Sequence, residues 1–516
     1  MSAHAKSDKK LTDGLARNTF FNAAGLVWAI LLSFVATPYI IRGLTTEGYG
    51  VFSIAMLIAG YAGALSGPMA TGSVRFMAQA YGKQMYQEFK VAAFAGVILS
   101  TGLALVASAV IVLFSPRLPG WFKVSEGLQP DAIMAFQLAA VGFVLSSLAA
   151  ALQGIPTAMR RYDMFNVVKV IVATTRILAI LLALYLGTGL VGAVIGQLIS
   201  NVLAIILFAA LARQTIYSAW DEQDTSPQNT IGNQTLLQMV REVFSFSATL
   251  LSHRMLAMFA QQIDRMVAGT MLGASTLTFY SVPLQVSDRF PMLMSALTTA
   301  LYPLSSEAEG RGDSAETLRQ LYYQVTRLLN WLSAWLAALI IASAYSLLYL
   351  WIDAEFADTS WQILILLTIA FASRAPSTVA YQVYTGFGRA DVGVRLIIIN
   401  LVCLAIVVPP LTWLWGLLGT AIALVLVEVP CILLNDIWTQ YRLLHQRNWS
   451  QMLSVYWKPW GTTVILLLGG MLLPDMNHWV HIISRSAYLT LGFAASVFLL
   501  DRQIFSTLRQ QLLKLL

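Results

Sequence analysis

The sequence predicts an all-α polytopic membrane protein of about 14 transmembrane helices: two pseudo-symmetric six-helix lobes followed by two C-terminal helices. Three observations predict it. The 516-residue chain is 58% hydrophobic and 11% charged, against about 25% charged residues in a soluble domain. The apolar residues gather in runs long enough for the roughly 20 helical residues that cross a bilayer. Segments of the first half recur in the second at a nearly constant offset.

Taken in order, the runs place spans near 18–41, 50–72, 91–114, 132–153, 166–187, 190–212, 243–270, 278–302, 327–350, 361–385, 395–412, 417–437, 456–473 and 482–500. The first 17 residues are polar and basic. The run from Phe20 to Ile41 that follows exceeds the roughly 7–15 apolar residues of a signal peptide. It reads as an uncleaved first span with a cytoplasmic N-terminus. The organisation is then a cytoplasmic segment 1–17, an N-lobe 18–212, a cytoplasmic linker 213–242, a C-lobe 243–437, two added helices within 438–500, and a cytoplasmic amphipathic tail 501–516.

The cations fit this layout. With alternating spans that start inside, 22 of the 32 Lys and Arg fall in inside segments, and only Arg42, Arg117, Lys123 and Arg485 fall outside. That is the bias of the positive-inside rule, and it places both termini in the cytoplasm. The stretch PYIIRGLTTEGYG (Pro38–Gly50) becomes a tight outside turn, with Arg42 and Glu47 closing or gating it. After the eighth span, D-S-A-E at Asp313–Glu316 has a capping-box pattern. It predicts a short interfacial helix running through Tyr322 and Tyr323.

Three pairs of segments carry the repeat. GLVGAVI (Gly189–Ile195) matches GLLGTAI (Gly416–Ile422) at an offset of 227. The exits from spans four and ten align Gly154 with Gly386, at 232. The first turn, with Leu44 and Tyr49, matches MLGASTLTFYSV, with Leu272 and Tyr280, at 228. Six helices per copy give both lobes the same orientation in the membrane, and such repeats commonly rock around a central site.

Some charges lie where the pattern forbids them. Arg176, Arg254, Arg289 and Arg374 fall near mid-span, and each costs about 2.5–3.5 kcal/mol if it faces lipid there. They are expected to face protein or water. Asp288 and Glu428 are the carboxylates at similar depth, so positive charge is in excess. Arg254 and Gln261 share a helical face at a seven-residue spacing, as do Lys169 and Arg176; Asn22 lies on a polar face of the first span with Asn18 and Gly25. A cationic cavity formed by Arg176, Arg254, Arg289, Arg374, Lys169, Gln261 and Asn22 suits an anion. Glu428, Asp288 and Asp264 are the candidate proton or sodium sites. Lys169 could equally snorkel to the interface, and Arg289 could be held by Asp288 or Glu428.

Other chemistries lack their residues. The chain has no G-x-x-x-x-G-K-[ST] nucleotide loop. Its two cysteines, Cys403 and Cys431, sit in apolar runs and read as small buried hydrophobes. No metal site, cofactor or catalytic residue is expected. A membrane glycosyltransferase or polymerase usually needs a large outside loop or interfacial acids, and here the acids outside are scattered through short loops.

The Asn-bearing first span, PYIIRGLTTEGYGVFSIA and GSVRFMAQAYGK (Gly72–Lys83) resemble bacterial polysaccharide-biosynthesis membrane proteins. These are the lipid-linked oligosaccharide flippases of the multidrug/oligosaccharidyl-lipid/polysaccharide exporter superfamily. The resemblance in plan covers nearly the whole chain. It implies a fold like that of the multidrug exporters and lipid II flippases. It also implies alternating access, and an undecaprenyl-diphosphate-linked oligosaccharide as passenger, its diphosphate offset by Arg176, Arg254, Arg289 and Arg374. Such a transporter works in the bacterial inner membrane, with a proton or sodium as a possible coupling ion and a polysaccharide polymerase or glycosyltransferase as possible partners. The alternatives are a lipid II flippase, which has a cationic cavity too, then a cation-coupled multidrug antiporter, then a glycosyltransferase or polymerase. The first span lacks the acid that the drug exporters keep in their cavity.

Overall fold

The structure, a computed structural model, describes residues 2–159, 161–220, 236–298, 315–374, 377–386, 389–444, 449–472 and 478–501. Among these residues all regular structure is helical, as a bilayer demands of a chain that satisfies each backbone group within its own segment. In chain order the helices are α1 (Ser2–Gly82), α2 (Tyr86–Phe114), α3 (Leu118–Trp121), a 3-10 turn (Glu126–Leu128), α4 (Gln129–Ala158), α5 (Tyr162–Tyr185), α6 (Gly189–Ala219), α7 (Leu236–Leu272) and α8 (Ala274–Ser287). There follow α9 (Arg289–Thr298), α10 (Ala315–Trp351), α11 (Ala354–Arg374), α12 (Ser377–Gly386), α13 (Ala390–Arg442), α14 (Trp449–Gly470) and α15 (His478–Leu500).

The expected spans fall on these helices. Two helices hold two spans each. α1 breaks at Thr45 (φ 66°, ψ 170°), where the Thr45 hydroxyl accepts from the Gly48 N–H at 3.4 Å. α13 breaks at Trp415 and Gly416, the latter at φ 59°. The eighth span is divided between α8 and α9, and the tenth between α11 and α12. Nine helical stretches among the described residues are long and apolar enough to cross a membrane. The chain is a multi-pass membrane protein.

The repeat reaches the backbone. Gly189 (φ +58°) and Gly416 (φ +59°) both take a positive φ at the 227-residue offset of their matching heptapeptides. Thr45 (φ 66°) and Gly273 (φ +98°), 228 residues apart, turn the chain at the other matched corner.

By contact the chain forms two compact units: Met1–Gln262 with Leu272–Thr278, and Ile263–Met271 with Phe279–Leu516. In the first unit, small and hydroxylated residues let helices approach closely. Ser66 and Ser147 share a hydrogen bond at 2.9 Å, the Ser108 hydroxyl donates to Ala140 O at 2.7 Å, and Asn201 Nδ2 donates to Gly142 O at 2.9 Å. Trp220 closes one end, packed on Tyr81, Tyr86 and Phe89. The turn that interrupts α1 is held by two partners, Ser125 and Thr278. Glu47 accepts from the Ser125 N–H at 2.6 Å and from its hydroxyl at 2.9 Å. The Thr278 hydroxyl donates to Thr46 O at 2.6 Å, and the Ala274 N–H donates to Phe122 O at 2.9 Å. A Cβ on Gly50 would lie 1.8 Å from Ala274 O, so only glycine fits there.

In the second unit, Trp331, Ala334 and Ala338 of α10 pack on Leu489 and Phe493 of α15. The Ser333 hydroxyl donates to Ala372 O at 2.7 Å, and Ser360 to Phe279 O at 3.0 Å. One expectation is corrected here. α10 begins at Ala315 and runs unbroken to Trp351, so Tyr322 and Tyr323 belong to the ninth span and not to a separate interfacial helix. Both tyrosines are buried, and that packing carries the helix past the cap. Asp313, half of the expected linker (221–235) and the tail from 502 onward lie outside the described residues.

Candidate functional site

The second unit holds five of the twelve candidate residues marked in the sequence: Asp264, Asp288, Arg289, Arg374 and Glu428, among them all three candidate proton or sodium sites. Arg374 is the last residue of α11, where the C-terminal dipole favours a cation. Its Nε donates to Glu428 Oε2 of α13 at 2.7 Å, and a terminal nitrogen reaches Oε1. Its guanidinium lies 5.0 Å from the Phe371 ring centroid. Glu428 is buried. On α7, the buried Asp264 accepts from the Tyr280 hydroxyl at 2.6 Å, while its other oxygen has no hydrogen bond. Asp288 fills the break between α8 and α9 and lies 3.4 Å from Nε of Arg289, the next residue.

These groups are electrostatic neighbours. Arg374 feels both Glu428 and Asp264, and Arg265 acts on both Asp264 and Asp288. The result is an alternating series: Glu428, Arg374, Asp264, Arg265, Asp288, Arg289. Three carboxylates match three guanidiniums. The excess of positive charge expected from the sequence therefore does not arise in this unit. Asp264 and Arg265, which the sequence places near the outer end of their span, belong to the same electrostatic series.

The first unit differs. Arg254 is exposed on α7 and Arg176 is half-buried on α5; neither makes a salt bridge among the described residues. Gln261 is also exposed, two turns along α7 from Arg254. Lys169 is exposed on α5, its ammonium 4.5 Å from the Phe165 ring centroid. The side chains of Asn22 and His253 lie outside those described. Arg42 is exposed on the turn that Glu47 holds to Ser125.

The buried acid Asp436 escaped the sequence reading. Asp436, near the end of α13, is fully buried. It accepts from the Tyr322 hydroxyl and from Gln440 Nε2, and the Tyr323 hydroxyl donates to Gln440 Oε1. Tyr456 of α14 faces the same carboxylate. The available signal was the pair Asp436 and Gln440, one turn apart at the edge of an apolar run. No cation pairs with Asp436 among the described residues.

Comparison with known proteins places this arrangement. A family model described as polysaccharide biosynthesis protein matches residues 15–309, more than half of the chain. The chain belongs to that family. A second family model, MatE, matches residues 250–414. Among curated relatives, a Shigella flexneri protein provisionally named an O-antigen transporter is 22% identical over 415 residues, covering 79% of this chain and 94% of its own. An uncharacterised membrane protein of Bacillus subtilis, EpsK, is 24% identical over 65% of each chain. Among solved structures, an inward closed conformation of the lipid II flippase MurJ superposes with a TM-score of 0.72 at 11% identity, covering 94% of this chain and all of the other. An inward-facing multidrug transporter of the MATE family gives 0.67 at 16% identity, over 81% and 95%. At such identities the structures speak for the fold. This member of the polysaccharide biosynthesis family thus has the helical plan shared by those transporters.

Proposed function

We propose that the protein flips an undecaprenyl-diphosphate-linked oligosaccharide from the cytoplasmic to the outer leaflet of a bacterial inner membrane, by alternating access, with both termini in the cytoplasm. The observation that supports this reading is that Arg176 and Arg254 of the first unit have no salt bridge among the described residues, in a chain of the polysaccharide biosynthesis family. Guanidinium groups bind phosphate through paired, charge-assisted hydrogen bonds. An unpaired arginine at mid-span is costly, and a diphosphate passing through lowers that cost. Lys169, Gln261 and Asn22 extend the polar path. The copies 18–212 and 243–437 are the moving parts, and Arg42 with Glu47 anchors the turn in the first.

Glu428, Asp288 and Asp264 serve as ion-coupling groups in this reading. At rest each is matched by an arginine. A proton or a sodium ion taken up on Glu428 would weaken its hold on Arg374 and free that guanidinium for the passenger. Arg289, released by Asp288 in the same way, completes the cationic set. A polysaccharide polymerase or glycosyltransferases would act on the same lipid before or after it crosses.

The test is deletion of the protein, followed by leaflet-resolved detection of undecaprenyl-linked intermediates. The expected result is a build-up of lipid-linked oligosaccharide on the cytoplasmic side. Normal translocation in the deletion strain overturns the proposal. A build-up of lipid II instead assigns the passenger of a peptidoglycan-precursor flippase, the reading favoured by the MurJ-like fold.

A further inference from the structure

We infer that the second unit holds a bilayer glycerophospholipid in a pocket between α10, α11, α14 and α15, with its phosphate on Arg485. This site is separate from the proposed transport path and rests only on the chain being embedded in a membrane.

The pocket has a volume of about 240 Å³ and is walled mainly by aliphatic and aromatic side chains, including Ile341, Ile365, Leu466 and Leu467. Its polar side is α15. His481, Arg485 and Tyr488 all line it, and their spacings of four and three residues stack them on one helical face. His481 Nε2 lies 3.3 Å from Ala342 O of α10, which fixes the ring at the wall. Gly469 and Gly470 let Tyr488 lie against α14; a Cβ on Gly469 would be 2.3 Å from the Tyr488 hydroxyl.

The surroundings decide what enters. Ile465 and Leu468 of α14, Met471 just after it, and Trp479 and Ile483 of α15 are all exposed. In a membrane such side chains face acyl chains, not water, so the pocket is supplied from the lipid. Arg485 lies two turns into α15, about 10 Å from its first residue. That depth is within reach of the headgroup layer for a long cationic side chain, and Trp479 is a residue type that marks this interface. A hydrocarbon chain alone needs no cation. A phosphate beside an apolar slot calls for both features.

Two lipids carry that chemistry, a glycerophospholipid and the diphosphate-linked passenger. Arg485 is the one permanent cation among the lining residues, which matches a single phosphate. The mainly aliphatic and aromatic walls suit an acyl chain and offer few groups to hydrogen-bond a sugar chain. Both points favour the glycerophospholipid.

The experiment strips the full-length protein of lipid in detergent and titrates phosphatidylglycerol back, with bound lipid read by native mass spectrometry. The expected result is one tightly held phosphatidylglycerol per chain. Arg485→Gln should weaken it by roughly tenfold or more, the loss of a charge-assisted contact. Ala342→Phe, which fills the slot from α10, should weaken it too, while Arg117→Gln on the first unit should not. Should Ala342→Phe fail to fold, Arg485→Gln alone decides. Unchanged retention in Arg485→Gln overturns the inference. So does displacement of the bound phosphatidylglycerol by undecaprenyl diphosphate, which would hand the pocket to the passenger.

Discussion

Arg374 and Glu428 form a two-point ion pair across α11 and α13: Arg374 Nε donates to Glu428 Oε2 at 2.7 Å, and a terminal guanidinium nitrogen reaches Oε1. The pair gives Arg374 a different standing from Arg254, which has the same chemistry and no carboxylate partner among the described residues.

Removing one member of a buried pair strands the other, at a cost of about 3–5 kcal/mol. Arg374→Ala and Glu428→Gln are each expected to lower the melting temperature in detergent and the amount of protein in the membrane. Replacing both residues with apolar ones should recover much of the loss. Single variants that melt like the parent would show that the pair contributes little to stability.

Arg254→Ala and Arg176→Ala should behave in the opposite way. Neither leaves a partner behind, so protein level and melting temperature should hold. Polymer at the cell surface should fall by about tenfold or more, as for the loss of a charged hydrogen bond to phosphate. Lysine at either position should restore part of the activity, since it keeps the charge but loses the planar fork. Quantifying surface polymer against membrane-protein level checks both parts, and normal export in both alanine variants would remove these residues from the transport path.

Gly50→Ala should disrupt the clasped turn, because its Cβ would meet Ala274 O at 1.8 Å, and backbone cannot swing aside as a side chain can. Gly67→Ala, with nothing within 4 Å of the added Cβ, should be neutral or stabilising by up to about 1 kcal/mol. Fluorescence-detected gel filtration after a heating series separates the two.

Tyr322→Phe should destabilise by about 1–3 kcal/mol, because it leaves the fully buried Asp436 short of a donor. Asp436→Asn should do so less, since an amide carbonyl still accepts one of these bonds. A Tyr322→Phe protein that melts at the parental temperature would contradict the role given to this cluster.

The fold was largely legible because its signal is repeated over tens of residues. Long apolar runs give the spans, and the Gly189 and Gly416 heptapeptides give the repeat, down to a positive φ at each. The site was legible only in its residue types. A mid-span arginine is visible in a sequence; its partner is not. Arg374 and Glu428 are 54 positions apart, and nothing local links them. Asp264 and Arg265 looked peripheral because depth was judged from the end of an apolar run. Asp436 was hidden for a similar reason, since an acid beside Gln440, Tyr441 and Arg442 resembles a solvated helix end until α10 and α14 close over it. The D-S-A-E pattern suggested a short helix, whereas the described helix runs from Ala315 to Trp351, held by the packing of Tyr322 and Tyr323.

The corner at Thr45 sets the two copies apart. A β-branched residue at φ 66°, ψ 170° occupies a region that is essentially reserved for glycine and costs on the order of 1–3 kcal/mol. Its counterpart in the second copy, Gly273, turns without that penalty. The duplicated halves therefore have unequal joints. One is unstrained, and the other keeps its strained corner between hydrogen bonds from Ser125 to Glu47 and from Thr278 to Thr46.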